Sequence, residues 1–104
     1  MLELQILNDN TLVIKGNIKT VSDAINISNK IKEISARMSD ESRILNIKII
    51  DSMSLPSYTI GTLTKIIKVD GIELYTIVGN EYLFDTLRNL NLLSIFNVRL
   101  ASTE

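Results

Sequence analysis

The sequence predicts an α/β domain: a mixed β-sheet that opens with a hairpin and continues as alternating helices and strands, with the helices packed on the sheet. Three observations carry that expectation. Apolar residues recur at every second position at the start of the chain, and at helical spacing in three later stretches. Between the helical stretches lie short runs dense in isoleucine and leucine, the composition of buried parallel strands. The breakers are few (Gly16, Pro56, Gly61, Gly71 and Gly79), and most of them fall between the periodic segments.

Each element follows in order. In residues 2–7, Leu2, Leu4 and Ile6 alternate with polar neighbours and read as a strand. Asn8-Asp9-Asn10 comes next, and these residue types tolerate left-handed backbone, so a turn is expected. Residues 11–18, with β-branched Thr11, Val13 and Ile14, read as a second strand that closes a hairpin. Thr20, with an acid three positions on at Asp23, has the form of a capping box and starts the first helix. Ile27, Ile31, Ile34 and Met38 mark its inner face, while Lys30, Lys32 and Glu33 face out. A polar break at 39–42 precedes a third strand over 43–50. Ile60, Leu63, Ile66 and Ile67 define a second helix closed by Asp70-Gly71. Residues 72–78 read as a strand, Gly79-Asn80 as a turn, and Tyr82, Leu83, Leu87 and Leu90 as the stripe of a third helix. Residues 96–100 form the last expected strand. The order β-β-α-β-α-β-α-β calls for parallel pairs joined by right-handed crossovers, with helices on one side of the sheet or on both.

The chain has 104 residues, so a single domain over 1–104 is expected. Hydrophobic residues make up 45%, enough for a core and too many for a disordered chain. With 11 basic and 12 acidic residues the net charge is −1, which gives no electrostatic reason to expect nucleic acid or an anionic membrane as partner. Cysteine and histidine are both absent, which excludes thiol chemistry, ordinary zinc sites and histidine-based triads. Asp23 and Asp51 are lone carboxylates, Gly16 lacks the repeated glycines of a phosphate-binding loop, and Gly61 lacks a following lysine. Neither catalysis nor a cofactor or metal is expected. The opening MLELQILNDN has no basic region followed by an apolar one, and the apolar runs are far shorter than a membrane span. A cytoplasmic protein without membrane insertion is the expectation.

Two stretches carry a more specific signal. One is Leu87-Arg88-Asn89-Leu90-Asn91-Leu92-Leu93-Ser94-Ile95-Phe96-Asn97-Val98. The other is Ile49-Ile50-Asp51-Ser52-Met53-Ser54-Leu55-Pro56-Ser57-Tyr58-Thr59-Ile60-Gly61. With the element order, they make nearly the whole chain resemble the STAS domain. That is the domain of bacterial anti-anti-sigma factors (anti-sigma factor antagonists), also found in sensory assemblies and transporters. The family ends its third helix with a Gly-Leu pair before an apolar-Phe-x-Val stretch. Here Asn91-Leu92 takes that place, and asparagine is a common left-handed residue after a helix end. The family places Asp-Ser-Ser-Gly-Leu-Gly or a variant between the third strand and the second helix. In members that switch, its first serine is phosphorylated by a kinase that is also the anti-sigma factor.

Three registers fit that loop. The first sets Asp51-Ser52 on the family's Asp-Ser pair. It would place Pro56 about one turn inside a helix, where proline costs roughly 3 kcal/mol. Proline is welcome only in the first turn, so the helix is expected to start near residues 54–57. The second register puts Ser54 at the motif's aspartate position. The third aligns Ser57-Tyr58-Thr59-Ile60-Gly61 with Ser-Ser-Gly-Leu-Gly and makes Ser57 the switch residue. Pro56 favours the later registers, which ranks Ser57 ahead of Ser54, and Ser54 ahead of Ser52, as phosphate acceptor. The bland alternative is that these serines only cap a helix.

The resemblance implies a non-catalytic interaction module, an anti-sigma factor antagonist in a partner-switching pathway. Its docking face is the loop and helix over 54–68, with Asp51, Ser54, Pro56, Ser57, Tyr58 and Thr59 facing the partner. That partner is an anti-sigma factor with serine-kinase activity. The alternative is a constitutive scaffold subunit of a transporter ATPase or a sensory assembly. Family members usually add a helix after the last strand. Sheet surface left open here would suit association, including a homo-oligomer.

Overall fold

A computed structural model describes residues 2–101. Five strands form one mixed sheet in the order β1-β2-β3-β4-β5, with three helices in the connections. β1 (Glu3–Leu7) and β2 (Thr11–Lys15) pair antiparallel, from Glu3 opposite Lys15 to Leu7 opposite Thr11. Asn8 and Asp9 turn the hairpin with φ of 54° and 65°, the left-handed backbone that their short polar side chains tolerate. β3 (Ile44–Ile50), β4 (Glu73–Val78) and β5 (Val98–Leu100) then add in parallel, each to its predecessor.

The helices α1 (Val21–Ala36), α2 (Ser57–Lys68) and α3 (Glu81–Asn89) lie on one face of the sheet. Register shows which face. Leu12, Ile47 and Thr76 form one row of partners, and Ile14, Ile49 and Val78 the next, all buried. Ile27, Ile31 and Ile34 of α1, Leu63 and Ile66 of α2, and Leu83 and Leu87 of α3 meet them in one hydrophobic cluster. Full burial of each such side chain contributes about 1.5–3 kcal/mol. The opposite face carries Gln5, Val13, Lys48, Ile77 and Arg99 in one row, with no helix over it among the described residues. Residues 102–104, where a helix after the last strand would begin, lie outside the described residues.

Several boundaries depart from expectation. β2 stops at Lys15 rather than at 18, because Gly16 turns the chain with φ 97° after a last bond from its N–H to the Ile50 carbonyl of β3. β5 starts at Val98 rather than at 96. Phe96 is fully buried, yet it reaches the core from a turn whose end, Asn97, is left-handed at φ 48°. Tyr82 and Leu90, placed on the inner stripe of the third helix, are 63% and 52% exposed. That helix is short, and two turns bury only Leu83 and Leu87. The close of α3 agrees with the sequence reading. Asn91 is left-handed at φ 60°, and the N–H groups of Asn91 and Leu92 bond the carbonyls of Arg88 and Leu87. Those two bonds make a Schellman motif.

Candidate functional site

The loop between β3 and α2 leaves the carboxyl end of the sheet, the end at which open α/β sheets commonly place their sites. Asp51 opens it in left-handed conformation, φ 69°, with its carboxylate exposed. Ser52 follows, and it is fully buried. Its hydroxyl donates to the Ser54 carbonyl at 2.9 Å and accepts the Ile18 N–H at 3.4 Å. Its carbonyl accepts from Asn80 Nδ2 at 2.9 Å. The Met53 N–H donates to Asn17 Oδ1, also at 2.9 Å. Three loops that follow β2, β3 and β4 are thus tied together at the base of residues 51–54.

Above that base the loop turns outward. Met53 is 47% exposed, and Leu55 drops back into the core cluster. Leu55 and Ile60 stand at the N′ and N4 positions of α2, the spacing of a hydrophobic staple, and Ile60 packs against the same cluster. Pro56 is the N-cap, with φ −62° and ψ 154°, and Ser57 is the first helical residue. The start argued from proline geometry therefore holds. Ser57 is exposed and Tyr58 beside it is 50% exposed.

The start of α2 differs from those of its neighbours. α1 begins with a complete capping box between Thr20 and Asp23. The Asp23 carboxyl is held below its ordinary pKa, first by the Lys19 N–H and then by the Thr20 groups. α3 begins with Asn80, whose Oδ1 accepts the Leu83 N–H at 2.7 Å, and has Glu81 in its first turn. α2 has neither a side-chain cap nor an acid in its first turn. Its leading N–H groups therefore have no side-chain acceptor, and the positive end of its dipole lies beside the exposed Ser57.

The site residues expected from sequence separate accordingly. Asp51, Ser54, Ser57 and Tyr58 are exposed, and Pro56 is half-buried between them. Ser52 is corrected: its hydroxyl is sealed in the loop base and offers no oxygen to a kinase in this conformation. Thr59 is corrected as well: it is 1% exposed, faces inward, and its Oγ1 has no partner. Ser54 is exposed but precedes the N-cap by two positions, so only Ser57 lies in the first turn of the helix. Neither serine caps α2, so the reading of them as helix caps is corrected too.

Two residues that order the site escaped sequence reading. Asn80, expected in a turn with Gly79, is also the N-cap of α3, a role its place three positions before Leu83 signals. Asn17 reaches Met53 across 36 positions, and no local pattern announces that contact.

Among the described residues, no cluster of acidic side chains is placed to hold a metal ion, and no helix is long and apolar enough to cross a membrane. Compared with known proteins, the chain matches no protein-family model and no curated protein sequence.

Proposed function

We propose that this chain is a non-catalytic STAS-like interaction module, an anti-sigma factor antagonist that works by partner switching in the cytoplasm. Residues 54–68 are its docking face, and Ser57 is the phosphate acceptor. One observation carries the proposal: an exposed serine at the first position of a helix that has no side-chain cap and no acid in its first turn. A phosphate there is stabilised by free N–H groups and the helix dipole. It also adds nearly two negative charges to a surface that binds a partner when unmodified. Repulsion of the partner then needs no refolding of the domain.

The partner in this reading is an anti-sigma factor with serine-kinase activity. Incubation with ATP and a serine kinase of the anti-sigma type, followed by mass spectrometry, tests it. Phosphate on Ser57 is expected. No phosphate on Ser54 or Ser57, together with no binding of that kinase, overturns the switch.

A second reading rests on Ser52. The serine that follows the motif-like Asp51 is a buried structural tie, which favours a constitutive scaffold that docks on a transporter ATPase or sensory assembly without phosphorylation. Alanine and aspartate at Ser57 separate the two. A switch responds oppositely to them, and a scaffold tolerates both.

A further inference from the structure

α1 and α2 lie side by side on the sheet, and between them runs a groove of about 400 Å³. Ser28, Lys32 and Ser35 of α1 line one wall, and Tyr58, Gly61 and Lys65 of α2 the other. Ser28 to Ser35 and Tyr58 to Lys65 each span about 10 Å at the helical rise of 1.5 Å per residue. The groove is thus long enough for two turns of a polypeptide.

Gly61 is the unusual feature of this wall. It lies inside α2 and has no positive φ, so no turn or cap requires glycine there. A Cβ built at this position meets nothing within 4 Å, so nothing within the chain requires it either. Glycine in a helix interior is destabilising relative to alanine. What it leaves is bare backbone facing open space, where a second backbone can approach closely.

The charge of the groove narrows what fills it. Lys32 and Lys65 are exposed on opposite walls. The salt bridges among the described residues join Lys30 and Arg37 to Glu33, and Arg88 to Asp85, so neither groove lysine is paired. Asp70, at the end of α2, is the one carboxylate of the lining. Its backbone carbonyl is held by Arg43 Nε at 3.2 Å.

On the reading that α2 faces partners, we propose that the α1–α2 groove binds an acidic polypeptide segment. The segment lays a small residue against Gly61 and places carboxylates between Lys32 and Lys65. Binding of this kind does not require modification of Ser57.

Selection of a random 15-residue peptide library against the immobilised full chain tests this. The expected outcome is enrichment of peptides with net negative charge whose affinity falls with added salt. Binding should weaken roughly tenfold or more in the double variant Lys32→Glu, Lys65→Glu, as paired charges at an interface do. It should be lost in Gly61→Leu, which fills the groove. That variant replaces glycine with a good helix former in open space, so its thermal midpoint should not fall, which separates a blocked groove from a damaged fold. Enrichment of neutral or basic peptides overturns the proposal, as does unchanged binding to the groove variants or no enrichment at all. Peptides that survive the groove variants but are lost in Ser57→Asp would sink the groove and leave the docking face of α2 standing.

Discussion

Ser52 holds its loop with a single side chain, donating to Ser54 and accepting from Ile18 in a site without solvent. Replacement by alanine leaves the Ile18 N–H and the Ser54 carbonyl without that partner. Ser52→Ala is therefore expected to lose about 1–3 kcal/mol of stability, read by denaturant unfolding. A change within a few tenths of a kcal/mol would mean the tie is slack. Asp23 makes a different kind of contribution. Its folded pKa lies below the ordinary carboxylate value because the Lys19 and Thr20 N–H groups donate to it. The stability from this shift is fully present above the ordinary value and is lost as pH falls through the lower, folded one. Unfolding followed from neutral to acid pH should show a weaker pH slope in Asp23→Asn than in the parent across that window. Parallel slopes would remove Asp23 from the account. The capping box itself was legible, because its signal lies within four consecutive residues. The burial of Ser52 was not, because Ile18 approaches it from 34 positions away.

At the scale of elements, α2 is the informative one. Its start could be read in advance because Pro56 fixes its own φ and cannot lie deep in a helix, which moved the boundary past the motif-like Asp51-Ser52. Its inner face could be read as well, since Leu63 and Ile66 are buried at helical spacing. The ends of β2 and β5 could not. There, apolar Ile18 is buried after β2 has ended and Phe96 before β5 has begun, so hydrophobicity extends where ladder pairing does not. The acid-free first turn of α2 makes a prediction of its own. Ser57→Asp adds a carboxylate to the positive end of the helix and should raise stability by about 0.3–1 kcal/mol at low salt. Equilibrium unfolding checks this without any partner. Unchanged or lower stability would show that the helix end is already satisfied, which would weaken the case for a phosphate there.

For the whole molecule, strand order explains the arrangement of layers. The sheet grows from β2 to β5 in one direction, always by parallel addition to the last strand. Crossovers of one hand that always move the same way place every helix on the same side. Hydrophobic spacing alone does not record direction, so the sequence is compatible with helices on one side of the sheet or on both. At the carboxyl edge of this layered body, Asn80 performs two tasks with one amide. Its oxygen caps α3 and its nitrogen holds the Ser52 carbonyl. Asn80→Asp keeps the capping oxygen and removes the donor. Hydrogen exchange should then show faster exchange at Met53 together with a smaller loss of protection in the first turn of α3, and unchanged exchange at Met53 would show that the amide does not hold the loop. In thermodynamic terms, the two tasks make the loop and α3 a linked pair. A binder that draws the loop off its amide loosens the first turn of α3 by the same free energy with which an intact α3 holds the loop closed, so occupancy at one end of the sheet is felt by a helix the binder never touches.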